Sequence, residues 1–469
     1  MTLVNGVILI FTALALLGLM IAQARKGTVD LFSTRNLFII GIIIFQCVSG
    51  WLSMFMLDFG EVNVENPTTT GFIYTGLLLV FIALFLLSYH KGWFVRTRAW
   101  RASPDYPQAS PGPVLAVATV LLVVGLIFRL VIGRTVPILG VLTDMMGIGL
   151  LSASAGLAAW VWVPRLMNPA VMIPAATIIL VGMLSLVLLT FGRRDVLSLI
   201  ITVFFAGYMS RWRHMGWAKM APRVIVVGAA ALLFMSAFST VRSATSKKFD
   251  IGDLLSKLME ANVSEGLLGM ATGQFAAANS MWVIENRPEP FPFNPLHSAV
   301  YTIVQPVPRV LLDQFGIPKP NGLGYEMVRE ARVYKYQKEF TLGPGIVGHI
   351  WNDNPILALV PYAVFFGLVL RYLDEYAAVH PFNPYYCIPI VAGAGDMVGI
   401  PRGEVGLFLF RTAMAVLAAW VGLRIARRVL LRSFGATPLI APDSADAGEW
   451  HEGEYSDVPE SSWTGERPA

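Results

Sequence analysis

The sequence predicts an all-α polytopic membrane protein with about 11 transmembrane helices and one large extracytoplasmic loop containing amphipathic helices. Three observations predict it. Of 469 residues, 55% are hydrophobic and only 14% charged, whereas soluble domains carry roughly 25% charge. Apolar stretches close to the ~20 residues needed to cross a bilayer recur along most of the chain. Lys and Arg collect in alternate short connections, as the cytoplasmic bias of positive charge requires.

The stretches run over residues 3–21, 37–56, 71–89, 114–132, 138–161, 170–191, 196–208, 224–238, 355–370, 386–400 and 406–423. The first has no basic residue ahead of it and is followed by Arg25 and Lys26, the pattern of an uncleaved anchor with its N-terminus outside. Arg25, Lys26 and Arg35 follow the first stretch, Lys91, Arg96, Arg98 and Arg101 the third, and Arg165 the fifth. Arg211, Arg213, Lys219 and Arg223 follow the seventh, Arg371 the ninth, and Arg424, Arg427, Arg428 and Arg432 the eleventh. Every odd-numbered exit is basic, which places the C-terminus in the cytoplasm.

Four parts follow. Residues 1–238 form an N-terminal bundle of about eight helices, and 239–354 a long outer connection. That connection is too long for a structureless loop within a compact domain. Its first half, residues 251–284, has helical apolar spacing suited to amphipathic helices on the outer leaflet; its second half is rich in Pro and aromatics, as a folded lid would be. Residues 355–435 supply about three more spans. The tail, 436–469, is predicted to be disordered: residues 441–469 hold eight acids and one base, leaving 34 basic and 22 acidic residues in the rest. Cys47 and Cys387 both lie in apolar runs and suggest neither a disulfide nor a zinc site.

Ionisable groups at the edge of a span are costly and mark candidate functional positions. Under this topology Arg129, Arg134, Asp144, Arg193, Arg194, Asp195, Asp396, Arg402 and Glu404 share one depth at the outer face. Guanidinium groups on the side where positive charge is disfavoured suggest an anionic ligand, because Arg presents a planar, permanently charged fork to phosphate or carboxylate oxygens. Asp144 and Asp396 are equally readable as ion-pair partners of those arginines. The long connection adds Arg242 and Arg309, and places His349 just ahead of the ninth stretch, where a group of reference pKa about 6.5 could accept a hydroxyl proton. No Gly-rich phosphate loop, Cys/His metal motif or nucleophile elbow is present. The expectation is therefore no cofactor, no metal and no nucleic-acid partner.

Two segments carry a family resemblance. Gly192-Arg193-Arg194-Asp195 opens a short helix, and Phe340-Thr341-Leu342-Gly343-Pro344-Gly345-Ile346-Val347-Gly348 enters a later span after the large loop. In this arrangement the chain resembles the Wzy-type O-antigen and exopolysaccharide repeat-unit polymerases; the related O-antigen ligases share the architecture. The resemblance implies a metal-independent glycosyltransferase of the bacterial cytoplasmic (inner) membrane. Such an enzyme moves a growing glycan from undecaprenyl diphosphate onto the next lipid-linked repeat unit, with membrane lipid, a flippase and a chain-length regulator as partners. On that reading Arg193, Arg194 and Arg402 stabilise the diphosphate leaving group. His349, Glu404 and Asp396, in that order, are candidate bases. Arg129, Arg134, Arg242 and Arg309 assist binding, and Trp282, Tyr301, Tyr325 and Trp351 contact sugar. A transporter would instead place charges near mid-membrane and show an internal repeat, and neither is found in the sequence.

Overall fold

The computed structural model describes residues 2–92, 110–135, 140–190, 193–243, 275–333 and 341–434, together with Ser264 and Gly266. Nine helices among the described residues are long and apolar enough to cross a membrane. They are α1 (Thr2–Arg25), α2 (Thr34–Met56), α3 (Pro67–Lys91), α4 (Pro111–Ile132), α5 (Gly140–Arg165), α6 (Pro169–Thr190), α8 (Trp217–Ser243), α14 (Pro355–Val379) and α17 (Val405–Phe434). Each coincides with one of the expected stretches.

The other two stretches take a different form. The seventh is α7 (Arg193–Ser210), whose first turn carries Arg193, Arg194 and Asp195. The tenth is broken into α15 (Pro384–Val391) and α16 (Ala394–Gly399), both buried throughout. Pro389 lacks the N–H that would continue the helical ladder, and Ala392-Gly393 follows at the break. A break among spanning helices is stable only where neighbours satisfy the freed backbone. Here α7 supplies that: Thr202 Oγ1 donates to the Val391 carbonyl at 2.9 Å, and the Gly395 amide donates to Ser198 Oγ at 2.9 Å. Gly395 must lack a Cβ, which would fall 2.1 Å from the Arg194 carbonyl oxygen.

The central helix is α5, packed against α4, α6, α7 and α17. Its small residues Gly147, Gly149, Ser152, Ala153, Ser154, Ala155 and Gly156 let backbones approach closely, the usual device where apolar burial does not itself drive helices together. A Cβ on Gly149 would lie 2.4 Å from the Ala415 carbonyl oxygen of α17. By contrast α8 buries only 17% of its apolar window, the least of the nine. Cys47 and Cys387 are fully buried in the core.

Among the described residues between α8 and α14 are five shorter helices: α9 (Ala276–Glu285), α10 (His297–Val304), α11 (Arg309–Gln314), α12 (Leu323–Glu330) and α13 (Gly345–Asn352). Most of residues 251–274, expected as amphipathic surface helices, lies outside the described residues, as does the tail 436–469. The end of that stretch is α9, in which Ala276 to Ile284 are all buried. A helix buried on every side belongs in a core and not on a leaflet surface; α9 packs against α3 and α13.

A further correction concerns Arg35, read from the sequence as one of the basic loop residues. It is fully buried in the first turn of α2, bonded to Gln23 Oε1 at 2.6 Å and Asn36 Oδ1 at 2.6 Å, with the Tyr89 ring 5.1 Å away. Asp374 of α14 completes this network. Its carboxylate accepts from the Thr34 amide at 2.6 Å, Thr34 Oγ1 at 2.8 Å, the Arg35 amide at 3.2 Å and Tyr89 Oη at 2.8 Å, and so caps the start of α2 from a distant helix.

Candidate functional site: a carboxylate and arginine cluster beside a buried histidine

The end of α4, the starts of α5, α7 and α17, and the end of the broken segment meet at one end of the bundle, opposite Asp374. Arg411, the seventh residue of α17, is held between two acids. Its Nε donates to Asp396 Oδ1 and Oδ2 at 3.0 Å each, and its Nη2 donates to Asp195 Oδ1. The Arg194 guanidinium lies 3.9 Å from Asp396 and stacks 4.0 Å above the Phe408 ring. Arg129 pairs with Asp144 at 3.0 Å, and Asp144 is within electrostatic range of Asp195 and Arg411.

Local backbone shape sets this up. α4 passes through a π-helical turn at Phe128–Ile132, a feature frequent at functional positions. The turn brings Arg129 inward to 5% exposure. Its side chain lies over Gly147, where a Cβ would meet Arg129 Cγ at 2.4 Å. Among the described residues Arg129 Nη1 and Nη2 are buried and without a hydrogen-bond partner, so the group retains donors beyond its single bond to Asp144.

A second cluster adjoins the first through the loop from Pro401 to Glu404. His349 of α13 is fully buried; its Nδ1 is 2.7 Å from Ser298 Oγ of α10, and its Nε2 is 3.3 Å from Glu404 Oε1. The Val405 amide also donates to Nε2 at 3.3 Å, which leaves the ring proton on Nδ1 for Ser298. Burial, reinforced by nearby His297, holds His349 down at about 3, so the imidazole is neutral at physiological pH. Glu404 accepts from the Gly324 amide at 2.9 Å. Burial pushes its carboxyl up to about 7, with Glu326 and Asp353 adding to the rise and the Leu323 and Gly324 amides opposing it. One aromatic ring joins the two clusters: Phe408 lies under Arg194 and occupies the space where Gly403 would carry a Cβ.

The glycine-rich segment entering α13 is fastened by backbone contacts. Ser280 Oγ donates to the Pro344 carbonyl at 2.6 Å, Asn279 Nδ2 to the Gly343 carbonyl at 3.0 Å, and the Ile346 amide to the Pro401 carbonyl at 3.1 Å. Gly345 has φ of +67°, a conformation L side chains rarely adopt. Pro401 is held from the other side by Gln46 Nε2 at 2.5 Å. Gln46 lies on the π-helical turn Ile43–Val48 of α2 and accepts from Tyr74 Oη at 2.8 Å.

Of the residues singled out from the sequence, Arg194 and Asp396 meet in the first cluster, His349 and Glu404 in the second. Arg129 meets Asp144, and Asp195 meets Arg411. Arg402 lies in the loop between the two clusters with its guanidinium 5.5 Å from the Phe45 ring, while Arg193 sits half-buried in the first turn of α7. Trp351 stands apart, its indole N–H donating to the Arg287 carbonyl at 3.0 Å beside Phe293. Trp282 and Tyr301 are buried packing residues, and Tyr325 is exposed. The side chains of Arg134, Arg242 and Arg309 lie outside the described residues. Gly192 and Phe340, the first residues of the two resemblance segments, also lie outside them.

No family model, no curated protein and no solved structure matches the chain.

Sequence reasoning missed Arg411, although a signal was there: it is a lone arginine inside an apolar stretch, the sixth residue of 406–423. It also missed Ser298 and Gln46, whose roles exist only through contacts far away in sequence.

Proposed function

We propose that the protein is a membrane glycosyltransferase that polymerises undecaprenyl-diphosphate-linked oligosaccharide repeat units at the outer face of the bacterial cytoplasmic membrane, with its N-terminus outside and C-terminus inside. The observation that carries this reading is the convergence of Arg129, Arg194 and Arg411 at one end of the bundle, next to a carboxyl near neutrality. Asp195 and Asp396 hold Arg411 between them, Arg194 reaches Asp396 from the side, and Arg129 retains donors unspent among the described residues. Preplaced guanidinium groups in a site sheltered from water stabilise charge that develops on a diphosphate leaving group.

In the proposed step an acceptor hydroxyl oxygen forms a bond to the anomeric carbon of the donor glycan. The bond from that carbon to the diphosphate breaks, and its electron pair leaves with the diphosphate toward the arginines. The hydroxyl proton passes to Glu404, whose pKa near the working pH suits a general base. His349 is fully enclosed by Ser298, Val405 and Glu404, which supports a positioning role for it and moves Glu404 ahead of it as base. Asp396 is committed to Arg411 through both oxygens, which supports the ion-pair alternative for that residue.

The test is the lipid-linked and cell-surface glycan profile of a strain lacking this chain, complemented with the intact protein or with Arg194→Ala. Single repeat units in place of a polymer ladder, with the ladder restored by the intact protein and not by the variant, support polymerisation. Full-length polymer retained on its lipid carrier transfers the reading to a ligase. Unchanged profiles remove glycan transfer altogether.

A further inference from the structure

α10 and α11 are not membrane-spanning, yet they turn large apolar side chains outward. Leu296 is 66% exposed and Ile303 74%, with Val300 between them on the same helical face, and Phe315 is 76% exposed, with Leu311 one turn before it and Ile317 just after also exposed. The opposite face of α10 is buried: His297, Ser298 and Tyr301 are all enclosed, Ser298 against His349 and His297 beside Glu326. Contiguous exposed apolar surface of this kind marks an interaction site rather than ordinary solvated surface.

The height of this face is set by contacts with the starts of two spanning helices. The Asn294 amide donates to the Asn352 carbonyl at 2.8 Å, and the Ser298 amide to Asp353 Oδ2 at 3.1 Å, both just ahead of α14. Gly406, the second residue of α17, packs so closely that a Cβ there would lie 2.5 Å from Thr302 Oγ1 and 2.9 Å from Tyr301 Cδ1. α10 therefore lies at the level where α14 and α17 enter the membrane. The first turn of α14 exposes Ile356 at 87% and Leu357 at 58%, so lipid-facing surface begins at the same level. α11 is fastened to α10 by Lys319, whose Nζ donates to the Gln305 and Val307 carbonyls at 3.0 and 3.1 Å.

We propose that α10 and α11 form a monotopic element whose apolar face is immersed in the bilayer at the boundary of headgroups and acyl chains. Its partner is lipid. A short helix at the membrane edge with one apolar and one polar-facing side is suited to lie in the interface plane. One helix then separates the His349 and Glu404 cluster from hydrocarbon, with Ser298 and Tyr301 packed on its inner side. This inference stands independently of glycosyl transfer.

The test uses the full chain in nanodiscs of phosphatidylethanolamine and phosphatidylglycerol, with spin labels at Ile303→Cys and, separately, Phe315→Cys. Native Cys47 and Cys387 are fully buried, so they take up little label, and both substituted side chains are exposed, so folding does not depend on them. Power-saturation EPR compares collisions with oxygen and with a water-soluble nickel chelate, using Glu289→Cys as an exposed control. The expected result is oxygen dominance at 303 and 315 and nickel dominance at 289. Nickel dominance at either 303 or 315 overturns the inference in favour of an aqueous face. Exclusion of both reagents with spin–spin broadening overturns it in favour of a second copy of this chain.

Discussion

Arg411 and Asp396 are joined by a forked contact, with Arg411 Nε 3.0 Å from each carboxylate oxygen, and the same guanidinium reaches Asp195. Fifteen residues separate the pair in sequence, and the break between α15 and α16 lets Asp396 face α17 instead of continuing a straight helix. A single arginine thus ties three segments together at the end of the bundle where the other arginines gather.

Removing that arginine should do more than remove a charge. Arg411→Ala leaves Asp195 and Asp396, both nearly inaccessible, without their shared cation, and breaking such a buried pair costs about 3–5 kcal/mol. Arg194 is partly exposed, so Arg194→Ala is expected to cost about 1 kcal/mol or less while abolishing product. Thermal unfolding in detergent beside the glycan profile separates the two; equal loss of stability would contradict the assigned roles.

Glu404 makes stability pH-dependent. The unfolded chain gives up this proton near the ordinary glutamate value of 4.5, while the folded protein keeps it until about 7. Stability should therefore fall by about 3 kcal/mol as pH rises from about 4.5 to 7, then level off. Glu404→Gln should flatten this part of a melting-temperature profile. If Glu404 is the base, turnover of the intact protein rises over the same range because only the ionised carboxylate accepts a proton.

Gly345 is predicted to tolerate no side chain. Its positive φ and the positions of Gln46 Nε2 and Ser280 Oγ, 2.5 and 2.9 Å from where a Cβ would lie, combine strain with overpacking, each worth about 1–3 kcal/mol. Gly345→Ala should lower the melting temperature and displace His349. Gly76→Ala, with nothing within 4 Å, should do neither, and a similar drop in both proteins would discredit the account.

Asp374 provides the contrasting case at the other end of the bundle. Asp374→Ala orphans the Thr34 and Arg35 amides and Tyr89 Oη, buried donors that cost about 1–3 kcal/mol each when unmet. The expected variant unfolds several degrees earlier, yet retains product per folded molecule when yield is measured by fluorescence-detected size exclusion.

The membrane class was legible in the sequence because hydropathy accumulates locally: nine of the predicted spans reappear as apolar helices without reference to any neighbour. The candidate arginines were legible for a related reason, since charge within an apolar run stands out wherever it falls. Arg411 is as conspicuous in its apolar run, but nothing near it in sequence names the acids it meets.

Which charges meet was decided only by tertiary structure. Arg35 looked like a loop cation until Asp374, more than three hundred residues later, capped its helix. His349 looked like a surface base until Ser298, Val405 and Glu404 enclosed it. The physical reason is range: the hydrophobic effect that makes a segment a helix in lipid acts residue by residue, whereas a hydrogen bond or ion pair requires two atoms about 3 Å apart, and that distance is set by how close the small residues of α5, α7 and α16 let helices approach.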